Sequence, residues 1–82
     1  MSVIKIIAHN VLGLRTNKKW TQEQLASLSD MSEKYLGKIE RGEANPTIKK
    51  LESLCKALEI SVEALITEHK AELGPDHGDK PV

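Results

Sequence analysis

The sequence predicts an all-α fold, a compact domain of five short helices. Apolar residues recur at steps of three and four along most of the chain, and no segment shows the strict alternation of a strand. Thr21, Ser32, Thr47 and Ser61 each stand just ahead of an apolar run, where a hydroxyl can cap a helix. The 82 residues hold one domain, because a chain of this size buries only about 60% of its unfolded surface and cannot support two cores.

The first helix is predicted from about Val3 to Lys18, with Val3, Ile4, Ile7, Val11 and Leu14 on one stripe. Thr21-Gln-Glu-Gln24 has the form of a capping box, so the second helix starts at Gln22. It carries Leu25, Ala26 and Leu28 inward and stops near Asp30, among residues that prefer turns and caps. Ser32 caps the third helix and Gly42 ends it. Pro46 holds Asn45 extended in the loop that follows. The fourth helix follows Thr47, with Ile48, Leu51, Leu54, Cys55 and Leu58 on one stripe; the fifth follows Ser61, with Val62, Leu65 and Ile66. Residues 1–69 are expected to form the domain and 70–82 a flexible tail, since GPDHGDKPV offers little to bury.

Composition narrows the function classes. Hydrophobic residues make up 39% and charged residues 29%, as in a globular domain, and with Trp20 and Tyr35 the only aromatics the core must be aliphatic. The single cysteine, Cys55, has no cysteine with which to pair or to build a zinc site, and His9, His69 and His77 lack ligand spacing, so no metal and no cofactor is expected. No nucleophile can be matched to a base and no phosphate-binding glycine loop is present, which argues against an enzyme. The N-terminal apolar run is too short for a signal peptide and no run approaches the roughly 18 residues of a membrane span, so no membrane contact and a cytoplasmic location are expected. Net charge is zero, yet residues 15–50 hold eight basic against five acidic side chains, an excess of three. A neutral total conceals a basic middle.

Residues 31–42, MSEKYLGKIERG, lie within that middle. At about 100° per residue, Glu33, Gly37, Arg41, Lys34 and Lys38 span an arc of roughly 140°, opposite a core face anchored by Leu36 and Ile39. Gly37 inside a helix costs about 1 kcal/mol relative to alanine, which a close neighbour such as a nucleic-acid groove would offset. A solvated lysine-rich face is the competing reading. Two short capped helices joined by a few turn residues, over about 22–41, form a helix-turn-helix unit, whose second helix fits the DNA major groove.

The stretch TQEQLASLSDMSEKYLGKIERGEANPTIKKLESLCKALEISVEALI closely resembles the helix-turn-helix domain of the Cro and phage-repressor (XRE-like) family. The resemblance covers about Val11 to Ile66. It rests on the Thr-Gln-x-x-Leu-Ala start, Tyr-Leu-x-x-Ile-Glu-Arg-Gly at the end of the third helix, Asn-Pro-Thr in the loop and the Leu-x-x-Leu-x-x-x-Leu-x-Ile-Ser run. It implies a lambda-repressor-like domain that regulates transcription by binding double-stranded DNA. Length and the TIKKLESLCKALEIS region also resemble the controller proteins of restriction-modification systems.

Carried over position by position, the resemblance implies that Glu33, Lys34 and Lys38 read bases. Lysine donates to guanine O6 and N7, and glutamate accepts from cytosine N4; Glu33 equally suits a helix start through the dipole. Phosphate contacts are implied for Gln22, Lys19, Tyr35, Arg41, Asn45 and Thr47, and a structural ion pair for Arg15 and Glu40. Lys49 and Lys50 are expected in solvent, and Trp20 in the core or as a staple. The chain departs from the family pattern at Asp30 and Lys19, where glycine is common. Specific sites need more contacts than one short helix makes, so a homodimer on a palindromic operator is expected. Ile60, Val62, Leu65 and Ile66 are the candidate dimer contacts. The alternative is that the fold serves as a protein-interaction or antitoxin-type module, with the charged face meeting an acidic partner.

Overall fold

Each helix begins where a hydroxyl oxygen takes an N–H that the helix itself cannot satisfy. The computed structural model describes residues 2–69 and contains α1 (Val3–Asn17), α2 (Gln22–Leu28), α3 (Glu33–Glu40), α4 (Ile48–Leu58) and α5 (Val62–Leu65). The expected tail at 70–82 lies outside the described residues. Ser2 accepts from Lys5 N at 3.2 Å, Ser32 from Tyr35 N at 3.0 Å, Thr47 from Lys50 N at 3.1 Å and Ser61 from Ala64 N at 3.0 Å. At α2 the box is reciprocal: Gln24 N donates to Thr21 Oγ1 at 3.0 Å, and Thr21 N to Gln24 Oε1 at 2.8 Å.

The first four helices end alike. Lys19, Asp30, Gly42 and Glu59 adopt positive φ, between 56° and 73°, and around each the N–H of the next residue reaches back five positions. Trp20 N bonds Arg15 O, Met31 N bonds Ala26 O, Glu43 N bonds Lys38 O and Ile60 N bonds Cys55 O, at 2.8–3.2 Å. This Schellman closure reverses the chain within two residues. Only one of the four is glycine, so three turns carry left-handed strain of roughly 1–2 kcal/mol each. The departures at Lys19 and Asp30 thus keep the geometry that glycine would provide.

Helix α1 packs on α3, α4 and α5, while α2 bridges α3 and α4. Val11, Leu25, Leu36, Ile39, Leu54 and Leu65 form the centre, none more than 1% exposed. Burying such a side chain contributes about 1.5–3 kcal/mol, and with no phenylalanine the centre is aliphatic throughout. Trp20 and Tyr35 are half-buried at its edge, Trp20 with Lys18 Nζ 5.3 Å above its ring. Cys55 is buried in the α4 stripe, where burial and then the Glu52 charge push its thiol pKa up.

Three apolar side chains expected inward lie outside the core. Leu28 is 58% exposed because the buried side of α2 runs through Leu25, Ala26 and Ser29, and Leu28 falls about 60° beyond Leu25 on the other side. Ile48 has the correct angle but opens α4, and is 70% exposed; Val3 likewise opens α1 and is 54% exposed. Periodicity says where a side chain points, not whether anything covers it. No helix among the described residues is long and apolar enough to cross a membrane.

Candidate nucleic-acid interface

Helix α3 is held in place from beneath by Leu36 and Ile39 and tied at its end by Glu40. Arg15 of α1 donates from Nε to Glu40 Oε2 at 2.7 Å and from Nη2 to Oε1 at 3.0 Å, a bidentate pair whose side chains are 13% and 4% exposed. Its third nitrogen, Nη1, donates to the Trp20 carbonyl at 2.8 Å. One guanidinium therefore joins α1, the turn before α2 and α3 in fixed relative orientation.

Glu40 holds a third donor. Gln22 Nε2, at the first position of α2, donates to Glu40 Oε1 at 2.9 Å. Because a carboxylate only accepts, this bond fixes which way the Gln22 amide faces. Its nitrogen turns toward Glu40 with one N–H left over.

Gly37 is buried, contrary to its expected place on an open polar face. A Cβ built there would lie 3.1 Å from Arg41 Nη1 and 3.8 Å from both amide atoms of Gln22. The room left by the absent side chain is thus filled by the protein's own Gln22 and Arg41, rather than kept open for a groove. Arg41 also donates from Nε to Glu43 Oε1 at 3.1 Å, both side chains being about half exposed. The residue that closes the α3 face is therefore partly neutralised by its own loop.

Glu33, Lys34 and Lys38 all point outward from α3, with Lys34 and Lys38 one turn apart. Gln22 and Arg41 close around Gly37, and Glu43 pairs with Arg41. Tyr35 is half-buried against the core, Lys19 and Asn45 are exposed on neighbouring turns, and Thr47 is exposed with its hydroxyl committed to the α4 cap. Lys50 departs from its expected place in solvent: Nζ donates to the Asp30 carbonyl at 2.6 Å, pinning the turn between α2 and α3 to α4. Among the candidate dimer contacts, Leu65 is 0% exposed and Ile60 packs against the core, so neither offers an open face. Val62 and Ile66 are 37% and 38% exposed.

Two polar residues escaped the sequence reading. Asn10 and Ser29 are both 0% exposed. Asn10 had a signal, since it falls between Ile7 and Val11 on the apolar stripe of α1. Ser29 read as a turn former, and nothing in its spacing marked it as core.

Comparison with known proteins agrees with this fold. The helix-turn-helix family profile matches residues 13–65. The chain is 42% identical over 67 residues to "Control protein C.SmaI" of Serratia marcescens, covering 82% of this chain and 80% of that protein. It is 37% identical over 62 residues to the "Immunity repressor protein" of Bacillus phage phi105, covering 76% of this chain and 43% of that one. The solved restriction-modification controller protein C.AhdI from Aeromonas hydrophila matches with a TM-score of 0.72 at 34% identity, over 76% of this chain and 94% of that one. With its fold, its α2-turn-α3 unit and most of its length shared in this way, the chain belongs to the helix-turn-helix (XRE-like) family of DNA-binding transcriptional regulators, a family of regulators rather than enzymes.

Proposed function

We propose that this regulator lays α3 in the major groove of an operator and reads bases with Glu33, Lys34 and Lys38. The supporting observation is the side of α3 that Leu36 and Ile39 leave outward: three charged side chains, beside a Gln22 whose amide is locked by Glu40. The remaining N–H of Gln22 suits a phosphate oxygen at the start of α2, where free backbone N–H groups and the dipole also favour an anion. Lys19, Tyr35, Arg41, Asn45 and Thr47 would complete the backbone contacts. The chain would act as a homodimer on a palindromic site in the cytoplasm, with half-sites about 34 Å apart, joined through Val62 and Ile66. Similarity to two controller proteins supports a restriction-modification setting.

Selection from random duplexes, followed by binding titrations in rising salt, tests this reading. The logarithm of affinity should fall by about 0.9 per phosphate contacted for each tenfold rise in salt. Lys38→Ala should flatten the preference at one base pair, a loss of about 1–3 kcal/mol of discrimination, while Gln22→Ala weakens all duplexes alike. If both variants bound every duplex as the parent does, the assignment of roles would fail. A parent that bound no duplex at low salt would leave the protein-interaction alternative.

A further inference from the structure

Asn10 sits on the core side of α1 with 0% exposure. Both of its donors are used on the far end of the chain: Nδ2 donates to the Leu65 carbonyl at 2.7 Å and to the Thr67 carbonyl at 3.0 Å. Among the described residues its Oδ1 has no hydrogen-bond partner, so the buried carboxamide acts here through its two N–H groups.

Those N–H groups finish a helix that cannot hold itself. Helix α5 has four residues, far below the roughly 12 residues at which an isolated helix becomes even marginal in water. Its other carbonyls are met locally. Leu65 N, Ile66 N and Thr67 Oγ1 donate to Ser61 O, Val62 O and Glu63 O, and the Ala64 carbonyl accepts from His69 Nε2 at 2.8 Å. The Leu65 carbonyl is reached by Asn10. Leu65 is also the apolar anchor of α5, at 0% exposure. The anchor fixes the depth of the turn, and the Asn10 clamp beyond it fixes its rotation. Together they aim Val62 and Ile66 outward.

We infer that Asn10 is a positioning residue for self-association: by holding the C-terminal end of α5, it sets the Val62 and Ile66 surface at the angle a second copy of this chain must meet. The inference rests on the proposed dimer, and its test separates the two. Asn10→Asp keeps the size of the side chain but removes the paired donation: ionised, it sets a carboxylate against two carbonyl oxygens, and protonated, it offers one donor in place of two. Sedimentation equilibrium of the full chain should show its self-association weakened about tenfold or more. Affinity for a duplex carrying one selected half-site should stay within about twofold, since α2 and α3 are held by other bonds.

Asn10→Ser serves if the aspartate variant does not fold. Hydrogen exchange should then show the Leu65 and Ile66 amides losing protection while those of Leu25 and Leu36 keep it, with self-association weakened in step. A parent that dimerises while both variants dimerise equally well overturns the inference and leaves the dimer intact. Equal loss of half-site binding and self-association also overturns it, by showing a general structural role. A parent monomeric at every concentration removes the dimer and this inference together.

Discussion

Helix α1 makes two polar joints, and they differ in charge and in the length of what they hold. At Arg15 the joint is ionic: a guanidinium whose three nitrogens each donate to Glu40 or Trp20 orients the eight-residue α3. At Asn10 it is neutral: one amide nitrogen serves two carbonyls at the end of the four-residue α5. Helix α3 already has Leu36 and Ile39 in the core, so its ion pair determines orientation more than attachment. Helix α5 has Leu65 alone as its buried side chain, so its amide clamp does both. A buried ion pair is also the less forgiving device, because half of it is worse than none.

Breaking the ionic joint should give the largest effect. Glu40→Ala leaves the Arg15 charge without its carboxylate, held by the Trp20 carbonyl alone, and should lower unfolding free energy in urea by about 3–5 kcal/mol, whereas the double replacement Arg15→Met with Glu40→Leu should recover most of it. A single variant no worse than the double would show that charge does not dominate the joint. Asn10→Ala should come next, at about 1–3 kcal/mol, because it leaves the two α5-end carbonyls without their donor. If it exceeded Glu40→Ala, the ranking of the two joints would be reversed.

Two smaller changes sharpen the comparison from either side. Glu59→Gly, at φ 58° on the approach to α5, should stabilise the chain by up to about 1 kcal/mol in thermal unfolding, the relief of left-handed strain exceeding the added freedom of the unfolded glycine. Gly37→Ala, on the α3 side, should raise stability by about 0.5 kcal/mol, since the gain in helix propensity is partly offset where the new methyl crowds Arg41. The same variant should bind DNA more weakly, because the displaced Arg41 is a proposed phosphate contact. Opposite signs in the two measurements would separate what Gly37 does for the fold from what it does for the site.

Helix starts were legible because they depend on neighbours three residues apart, as Thr21 and Gln24 show. The strained ends at Asp30 and Lys19 were legible as departures from glycine. Properties that depend on a third element were not. Nothing local distinguishes Leu28, which faces out, from Leu25, which is buried; what covers a side chain is decided by helices distant in sequence. Gly37 looked open on the helix wheel because the wheel contains neither Gln22 nor the path Arg41 takes back along α3. Lys50 looked like a solvated charge because its acceptor, the Asp30 carbonyl, lies 20 residues away. Asn10 was the one such residue with a visible sign, a polar group on an apolar stripe.

The Arg15 guanidinium also imposes an order on how the protein comes into being. Its carboxylate partner lies 25 residues further along and the acceptors of Asn10 lie 55 and 57 further. During synthesis at about 5–20 residues per second, Arg15 therefore waits roughly 1–5 s for Glu40 to be made, and Asn10 waits longer still. Helix α1 thus acquires its partners in two stages and stays incompletely paired until Thr67 has been made.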